Sequence, residues 1–287
     1  MSTQAITDST WARLGEVRPD GLTGARLQVH HAAQIAVSAT ISYLPARHDD
    51  SHTALCWSAP LSALVTESIP APARAFQVAL HPTTLTLLSV DEVGVVSGSF
   101  ALIGRTVGEG YGWVADVARS VGLDGARLTP RKHYTIPHHE VAEGATFSAG
   151  ARDLAELERY WSNAAVILQA FARATPGASR VRVWPHHFDM ASLISLPADT
   201  RGTGRTIGVG HSPGDEWYAE PYWYVGPYPY PPTTSLPQLG HGHWHTKGWI
   251  GAALPASEYV GADRMDQCRL VRAFIESAVS ACRALLG

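Results

Sequence analysis

Two pairs of residues that could bind a metal ion have their members two positions apart in the sequence, a spacing that suits metal binding from β-strands. One pair is His187 and Asp189, and the other is His243 and His245. Residues two apart on an extended strand point to the same face, so two such strands in one sheet would turn all four side chains toward one cavity. Neutral imidazoles and carboxylates are the ligands of catalytic Zn, Fe, Mn and Ni sites. We predict that these four residues bind a divalent metal ion or shuttle protons, with His186 as a further catalytic group.

The same histidines also fit two other interpretations. A polar site without a metal ion can be built from the same side chains. A His-x-His-x-His run among glycines, as at 241–245, is also typical of solvated surface. The sequence contains no HExxH, HxxEH or CxxC pattern, which would indicate a metal site by itself. The divalent metal therefore stays one of three alternatives at this stage.

An acidic and aromatic stretch lies between the two histidine pairs, over residues 212–224. Glu216 or Glu220 in this stretch is predicted to act as a general base or to add an oxygen ligand. Aromatic rings beside carboxylates also suit a sugar or another polar ligand that contains a ring. The residues predicted to line such a pocket are Trp184, Trp217, Tyr222, Trp223, Tyr224 and Trp249. The alternative is that the prolines between 221 and 232 impose an extended path and that the aromatics pin this segment to the core.

Two functions are predicted from these residues, and a third stays open beside them. The first is a small-molecule enzyme of the hydrolase or lyase type, which is metal-dependent in one version. The second is a non-catalytic binding module with an aromatic pocket for a sugar-like ligand. The third is a structural or assembly protein whose aromatics belong only to its core. The reaction, the substrate and the oligomeric state are not determined by the sequence.

Composition excludes several other classes of protein. The chain has 287 residues, of which 45% are hydrophobic and 16% charged, so it can bury a core and is not a disordered protein. Its net charge of −3 excludes a general binder of nucleic acid or of anionic membranes, because such binders need an excess of basic residues. The N-terminus does not resemble a secretory signal, and no apolar stretch reaches the length of about 18 residues that a membrane span needs. Three widely spaced cysteines form no disulfide framework. We therefore expect a cytoplasmic protein whose partner is a small molecule.

The elements that must position these residues occur twice in the same order. Each half of the chain has a helical pattern, a short strand with a tryptophan, several further strand-like segments and a second helix. The first tryptophan strand carries Trp57, and the second carries Trp184. The links between strands are too short for crossover helices, so the strands are predicted to be mostly antiparallel. The predicted fold class is α+β, with two similar helix–antiparallel sheet–helix units that an internal duplication would explain.

The same pattern predicts four segments of the chain. Residues 1–23 are an N-terminal segment, 24–127 a first α+β unit, 128–150 a linker and 151–287 a second α+β unit. The first of these units is interpreted as a scaffold, and the second as the carrier of the histidine and aromatic site.

Four motifs in the second half of the chain resemble those of a known group of proteins. The motifs are WPHHFD at 184–189, GVGxSPGD at 208–215, EPYWYV at 220–225 and GHWH at 242–245. With these motifs the chain resembles a family of uncharacterised bacterial proteins that is described as a domain of unknown function. The resemblance implies a soluble bacterial protein and supplies no reaction, cofactor or catalytic residue. The chain departs from the pattern at His211, where a less polar residue is expected.

Overall fold

The computed structural model describes residues 10–130, 132–197 and 204–287, and in them the predicted α+β class is confirmed. The four α-helices of this part are α1 (Thr23–Tyr43), α2 (Val107–Ser120), α3 (Ala151–Ala174) and α4 (Arg264–Leu286). Its strands form two antiparallel sheets, of five and six strands. They are β1 (Cys56–Ser58), β2 (Ala63–Val65), β3 (Gln77–His81), β4 (Thr86–Val90), β5 (Val96–Ala101), β6 (Arg182–Trp184), β7 (Asp189–Leu196), β8 (Arg205–Ser212), β9 (Tyr222–Tyr228), β10 (His243–His245) and β11 (Gly251–Pro255). Within the described residues, no helix combines the length and the apolar character that crossing a membrane requires.

Contacts between residues divide the described chain into two units, which we name after the helices that they contain. The α1 unit comprises Leu22–Glu158 and Arg182–Phe188. The α4 unit comprises residues 10–21, Arg159–Val181 and the described part of Asp189–Gly287. The internal duplication stays a prediction.

The α1 unit is built on a sheet in which consecutive strands are neighbours, in the order β1-β2-β3-β4-β5, with α1 packed against β3 and α2. Helix α1 is buried continuously from Gln28 to Thr40. Such burial is possible because the helix carries no charged side chain after Arg26. The described part of the predicted linker packs in this unit as well. The side chain of Gln28 accepts hydrogen bonds from the backbone amides of Ser148 and Ala149, at 2.7 and 2.9 Å.

In the α4 unit five strands follow the order β10-β11-β9-β8-β7, and α4 packs against β8, β9 and β11. Asp263 caps the N-terminus of α4, because its carboxylate accepts hydrogen bonds from the amides of Met265 and Asp266, both at 2.9 Å. One side of α4 is apolar and buried. Its buried residues include Cys268, Val271, Phe274, Ile275, Ala278 and Cys282.

The pleat of β9 sends neighbouring side chains to opposite faces of this sheet. Trp223 is only 1% exposed, and its ring lies 5.1 Å from that of His211, which in turn packs against Trp161 of α3. Tyr222 and Tyr224 point the other way. Trp223, predicted to line the ligand pocket together with these tyrosines, therefore lies in the core, because a strand cannot present consecutive residues on one face.

Candidate functional site

Aromatic and imidazole side chains gather on the face of the α4 unit that Tyr222 and Tyr224 share. β11 pairs with both β9 and β10, which brings His243 and His245 to the same sheet. Tyr218, from the loop before β9, connects the two groups. Its ring centroid lies 4.5 Å from that of Tyr222 and 5.5 Å from that of His245. We call these five residues the tyrosine face.

Asp215 holds the loop that carries Tyr218. It follows a Ser-Pro-Gly turn, in which Gly214 adopts a φ of 113° that favours glycine. One carboxylate oxygen, Oδ1, accepts hydrogen bonds from the amides of Trp217 and Tyr218 at 2.8 and 3.0 Å. The other, Oδ2, accepts a hydrogen bond from the Tyr222 hydroxyl at 2.5 Å. A single carboxylate therefore fixes both the loop and a phenol of the sheet.

Tyr224 reaches across β8 to Asp189 at the start of β7. Its hydroxyl donates a short hydrogen bond to Oδ2 of Asp189. The ring lies directly over Gly210, where an added Cβ would come within 2.5 Å of the phenol oxygen. Glycine at this position is therefore what leaves room for the contact. Asp189, predicted as a metal ligand, accepts a hydrogen bond from a phenol in this structure.

The hydroxyl of Tyr218 lies between two imidazoles, and the hydrogen bonds around it run in one direction. Nε2 of His245 contacts the carbonyl oxygen of Lys247, which can only accept. A neutral His245 therefore carries its proton on Nε2, and its Nδ1 accepts from the Tyr218 hydroxyl at 3.1 Å. The Tyr218 oxygen then accepts from Nε2 of His243 at 3.0 Å. Nδ1 of His243 lies 3.5 Å from Oε1 of Glu258, on the half-exposed side of the network.

Two tryptophans border the tyrosine face. Trp249 stacks on His245, with ring centroids 4.3 Å apart and an interplanar angle of 17°. Trp217 meets the same imidazole edge-on at 5.4 Å. The Trp217 ring lies on Gly248, where an added Cβ would be 2.4 Å from it. Both indoles are therefore held by close packing around one imidazole.

The phenols of the tyrosine face stay protonated at neutral pH. Burial raises the pKa of Tyr218 to about 12, with further contributions from Asp215 and Glu258. Burial also raises the pKa of Tyr222, as does the neighbouring Asp215. For Tyr224, burial and the Asp189 carboxylate raise the pKa well above its usual range. Each phenol can therefore donate a hydrogen bond.

The two glutamates predicted as bases are not part of this network. Glu220 accepts hydrogen bonds from the amide and the hydroxyl of Ser257, at 2.6 and 2.8 Å, and so holds a short 3-10 helix that follows β11. Glu216 is exposed on the loop after the Ser-Pro-Gly turn. In the part of the chain that is described, no three His, Cys, Asp or Glu residues are grouped so that they could hold a metal ion. The metal site stays a prediction.

Trp184, His186 and His187 belong to the α1 unit. The extended run predicted across this motif is interrupted, since residues 185–188 form a turn between β6 and β7. Phe188 has a φ of 60° there, which ends strand alternation. The rings of His186 and His187 lie 4.5 Å apart, and Trp184 meets His186 edge-on at 5.9 Å.

Several residues that organise these sites were not predicted from the sequence. Asp215 and Gly210 lie within the GVGxSPGD motif, whose turn signal could have indicated the role of Asp215. Tyr218 lies in the acidic, aromatic stretch but is not distinguished there from its neighbours. Lys132, which lines a cavity of the α1 unit together with His186 and His187, had one available signal, because the chain has only one other lysine, Lys247.

Comparison of the chain with protein-family models, with curated proteins and with solved structures finds no match. The resemblance of its motifs to a bacterial family of unknown function therefore stays a prediction. What the protein does must be inferred from the geometry of its own residues.

Proposed function

We propose that the α4 unit binds a small polar molecule that contains a ring, such as a neutral sugar, at the tyrosine face beside Trp217. The observation that carries the proposal is the environment of Trp217, which is 43% exposed although its ring is packed tightly on Gly248 and His245. An indole that is exposed but held in place offers apolar surface at little cost in side-chain entropy.

Polar groups beside this indole suit the hydroxyls of such a ligand. His243 and Glu258 are both half-exposed and lie together at the open end of the hydrogen-bonded network. Small-molecule sites combine aromatic surface with a few placed polar groups in this way. Cytoplasmic location is part of the proposal, and it is supported by the wide spacing of the three cysteines in the sequence, which suits no disulfide framework.

Replacing Trp217 by alanine is expected to weaken sugar binding by at least about tenfold, because the stacking surface is lost. The probes are glucose, galactose, mannose and N-acetylglucosamine, each measured by saturation-transfer NMR and by titration calorimetry. Trp113→Ala is the matched control, since this half-buried indole belongs to the α1 unit and stacks on Phe100. Binding of none of the four sugars to the native protein, or equal losses in the two variants, would contradict the proposal.

A second candidate function, acid–base catalysis, is favoured by the position of the Tyr218 hydroxyl between two imidazoles. His243 is the half-exposed end of this network and is therefore the group that can take a proton from a bound substrate or from a water molecule that attacks it. Tyr218 and His245 would act as positioning residues, because they fix the tautomer and orientation of His243. This version of the enzyme uses proton transfer by side chains and needs no metal ion.

His243→Gln is expected to slow hydrolysis of p-nitrophenyl acetate, used as a generic ester probe, by about a hundredfold or more. Tyr218→Phe keeps the ring and removes the hydroxyl, so it is expected to lower kcat with little change in KM and to move the midpoint of the pH–rate profile. His241→Gln alters an exposed histidine of the same run and serves as the control. No hydrolysis by the native protein, or equal rates in the His241 and His243 variants, argues against catalysis.

A further inference from the structure

An open cavity of about 530 Å³ lies within the α1 unit. This volume is in the range of small-molecule sites. Each of its lining residues carries an N–H or O–H group. They are Lys132, His133, Tyr134, Thr135, His186 and His187. The cavity therefore presents many hydrogen-bond donors within a small volume.

The lining of the cavity includes one cationic side chain. Lys132 contributes an ammonium group, and the lining residues include no carboxylate. A carboxylate of the same unit, that of Asp50, accepts a hydrogen bond from Nε2 of His133 at 3.0 Å. Thr135, His186 and His187 add further hydrogen-bond donors beside the lysine.

Two segments of the chain form the walls of the cavity, namely residues 132–135 and the turn at 185–188. The buried side chain of Gln34, on α1, bonds to both. The amide nitrogen of Gln34 donates to the carbonyl oxygen of Pro185 at 2.8 Å, in the turn that carries the two histidines. Its amide oxygen accepts from the Tyr134 hydroxyl at 2.9 Å, in the other segment that lines the cavity. His30 also contacts the Pro185 carbonyl, through Nε2 at 2.7 Å. Gln34 thus fixes the distance between the walls.

The turn itself is held rigidly. The Phe188 ring stacks on His30 with centroids 4.5 Å apart and an interplanar angle of 2°. On the other side of the turn, Val183 exchanges two backbone hydrogen bonds with Leu55, at 2.7 and 2.9 Å. The imidazoles of His186 and His187 are therefore presented from a fixed backbone, which is the condition for a preorganised binding site.

We propose that this cavity binds a small molecule through an oxyanion group, either a phosphate or a carboxylate, with Lys132 as the counter-charge and Thr135, His186 and His187 as hydrogen-bond donors. A lysine ammonium pairs with such groups as a point charge. Burial lowers the pKa of Lys132, and it lowers that of His186 to about 4, so a bound anion would compensate both groups. The site goes beyond the function proposed above, because all of its residues belong to the other unit.

The two lysines of the chain allow a test on the native protein. Lysine acetylation is followed by mass spectrometry in inorganic phosphate, in acetate and in sodium chloride, all at the same ionic strength. We expect one of the two oxyanions to protect Lys132 by about tenfold or more relative to chloride, while Lys247 reacts equally in all three. Protection by phosphate alone identifies a phosphate site, and protection by acetate alone identifies a carboxylate site. Equal protection of both lysines, or of neither, overturns the proposal.

Titration calorimetry with the protecting anion gives a second measurement. Lys132→Met is expected to bind it at least about tenfold more weakly than the native protein, and Lys247→Met to bind it equally well. Thermal unfolding of both variants shows whether the fold is retained. Equal affinities in the two folded variants overturn the proposal. Because the tyrosine face is tested with neutral sugars and with substitutions in the α4 unit, failure of one proposal is distinguishable from failure of the other.

Discussion

Replacement of Gln267 by leucine is expected to lower the free energy of unfolding by about 4 kcal/mol. This side chain is 0% exposed and ties the N-terminal segment to α4. Its Oε1 accepts hydrogen bonds from the Trp11 indole and the Leu14 amide, at 3.2 and 3.0 Å. Its Nε2 donates to the carbonyl oxygens of Leu14, Val260 and Ala262, at 3.0, 2.9 and 3.2 Å. Leucine has a similar size but removes this partner from the buried groups of Trp11 and Leu14 and from the partly buried carbonyl oxygens of Val260 and Ala262.

Urea unfolding followed by circular dichroism measures this effect. Gln238→Leu is the matched control, because Gln238 is an exposed glutamine of the same unit. We expect the control to change the free energy of unfolding by no more than about 0.5 kcal/mol. A loss below about 1 kcal/mol in the Gln267 variant would mean that water replaces the missing amide at little cost, and the expected role of Gln267 would then be wrong.

Acid is expected to destabilise the protein through its buried histidines. Burial lowers the pKa of His211 to about 3 and that of His30 to about 3. In the unfolded chain a histidine takes up its proton near pH 6.5, at about its unperturbed pKa. The unfolded state therefore binds more protons than the folded state between pH 6.5 and about pH 3, so stability falls as the pH falls through this window. Each of the two histidines contributes a slope of about 1.4 kcal/mol per pH unit.

His211→Leu tests the part of this effect that is due to His211. The imidazole is completely buried among aromatic rings, and neither of its nitrogens has a hydrogen-bond partner among the described residues. Leucine is therefore expected to change the free energy of unfolding near pH 8 by no more than about 1.5 kcal/mol. Below pH 6 it is expected to reduce the slope of this free energy against pH by about 1.4 kcal/mol per pH unit, because one group fewer takes up a proton on unfolding. Urea unfolding at pH 5, 6, 7 and 8 gives the slope, and His48→Gln, at an exposed position, is the control. An unchanged slope in His211→Leu would show that this imidazole does not oppose acid unfolding.

Helices with local signals could be predicted closely from the sequence. The apolar periodicity predicts helices over 24–44, 153–172 and 265–285, and α1, α3 and α4 extend at most two residues beyond these bounds. Helix α2 is different, because its prediction over 112–121 misses the first turn. Glycines at 108 and 110 weaken the helical pattern there. The helix nevertheless begins at Val107, because Thr106 and Glu109 form a capping box.

The candidate sites could be predicted only in part. The sequence indicates the region around His243, His245, Tyr222 and Tyr224, because residue types and strand alternation are local properties. It does not indicate that the Tyr218 hydroxyl lies between two imidazoles, since that contact joins a loop to a strand 25 residues away. Trp223 shows the reverse case. A tryptophan suits a ligand pocket, but the alternation of side chains along β9 places this one on the core side of the sheet.

By itself, the sequence determined the α+β class, the antiparallel strands and the concentration of histidine and aromatic residues in one half of the chain. These follow from periodicity, link length and composition, which involve only neighbouring residues. Only the tertiary structure decided which side chains meet. Asp215 reaches Tyr222, Tyr224 reaches Asp189 over a glycine, and Gln34 joins two walls of a cavity from segments 100 and 151 residues away. Such contacts depend on how distant segments of the chain pack. Buried polar groups need hydrogen-bond partners, and only the packed structure decides which of the many possible partners each group finds.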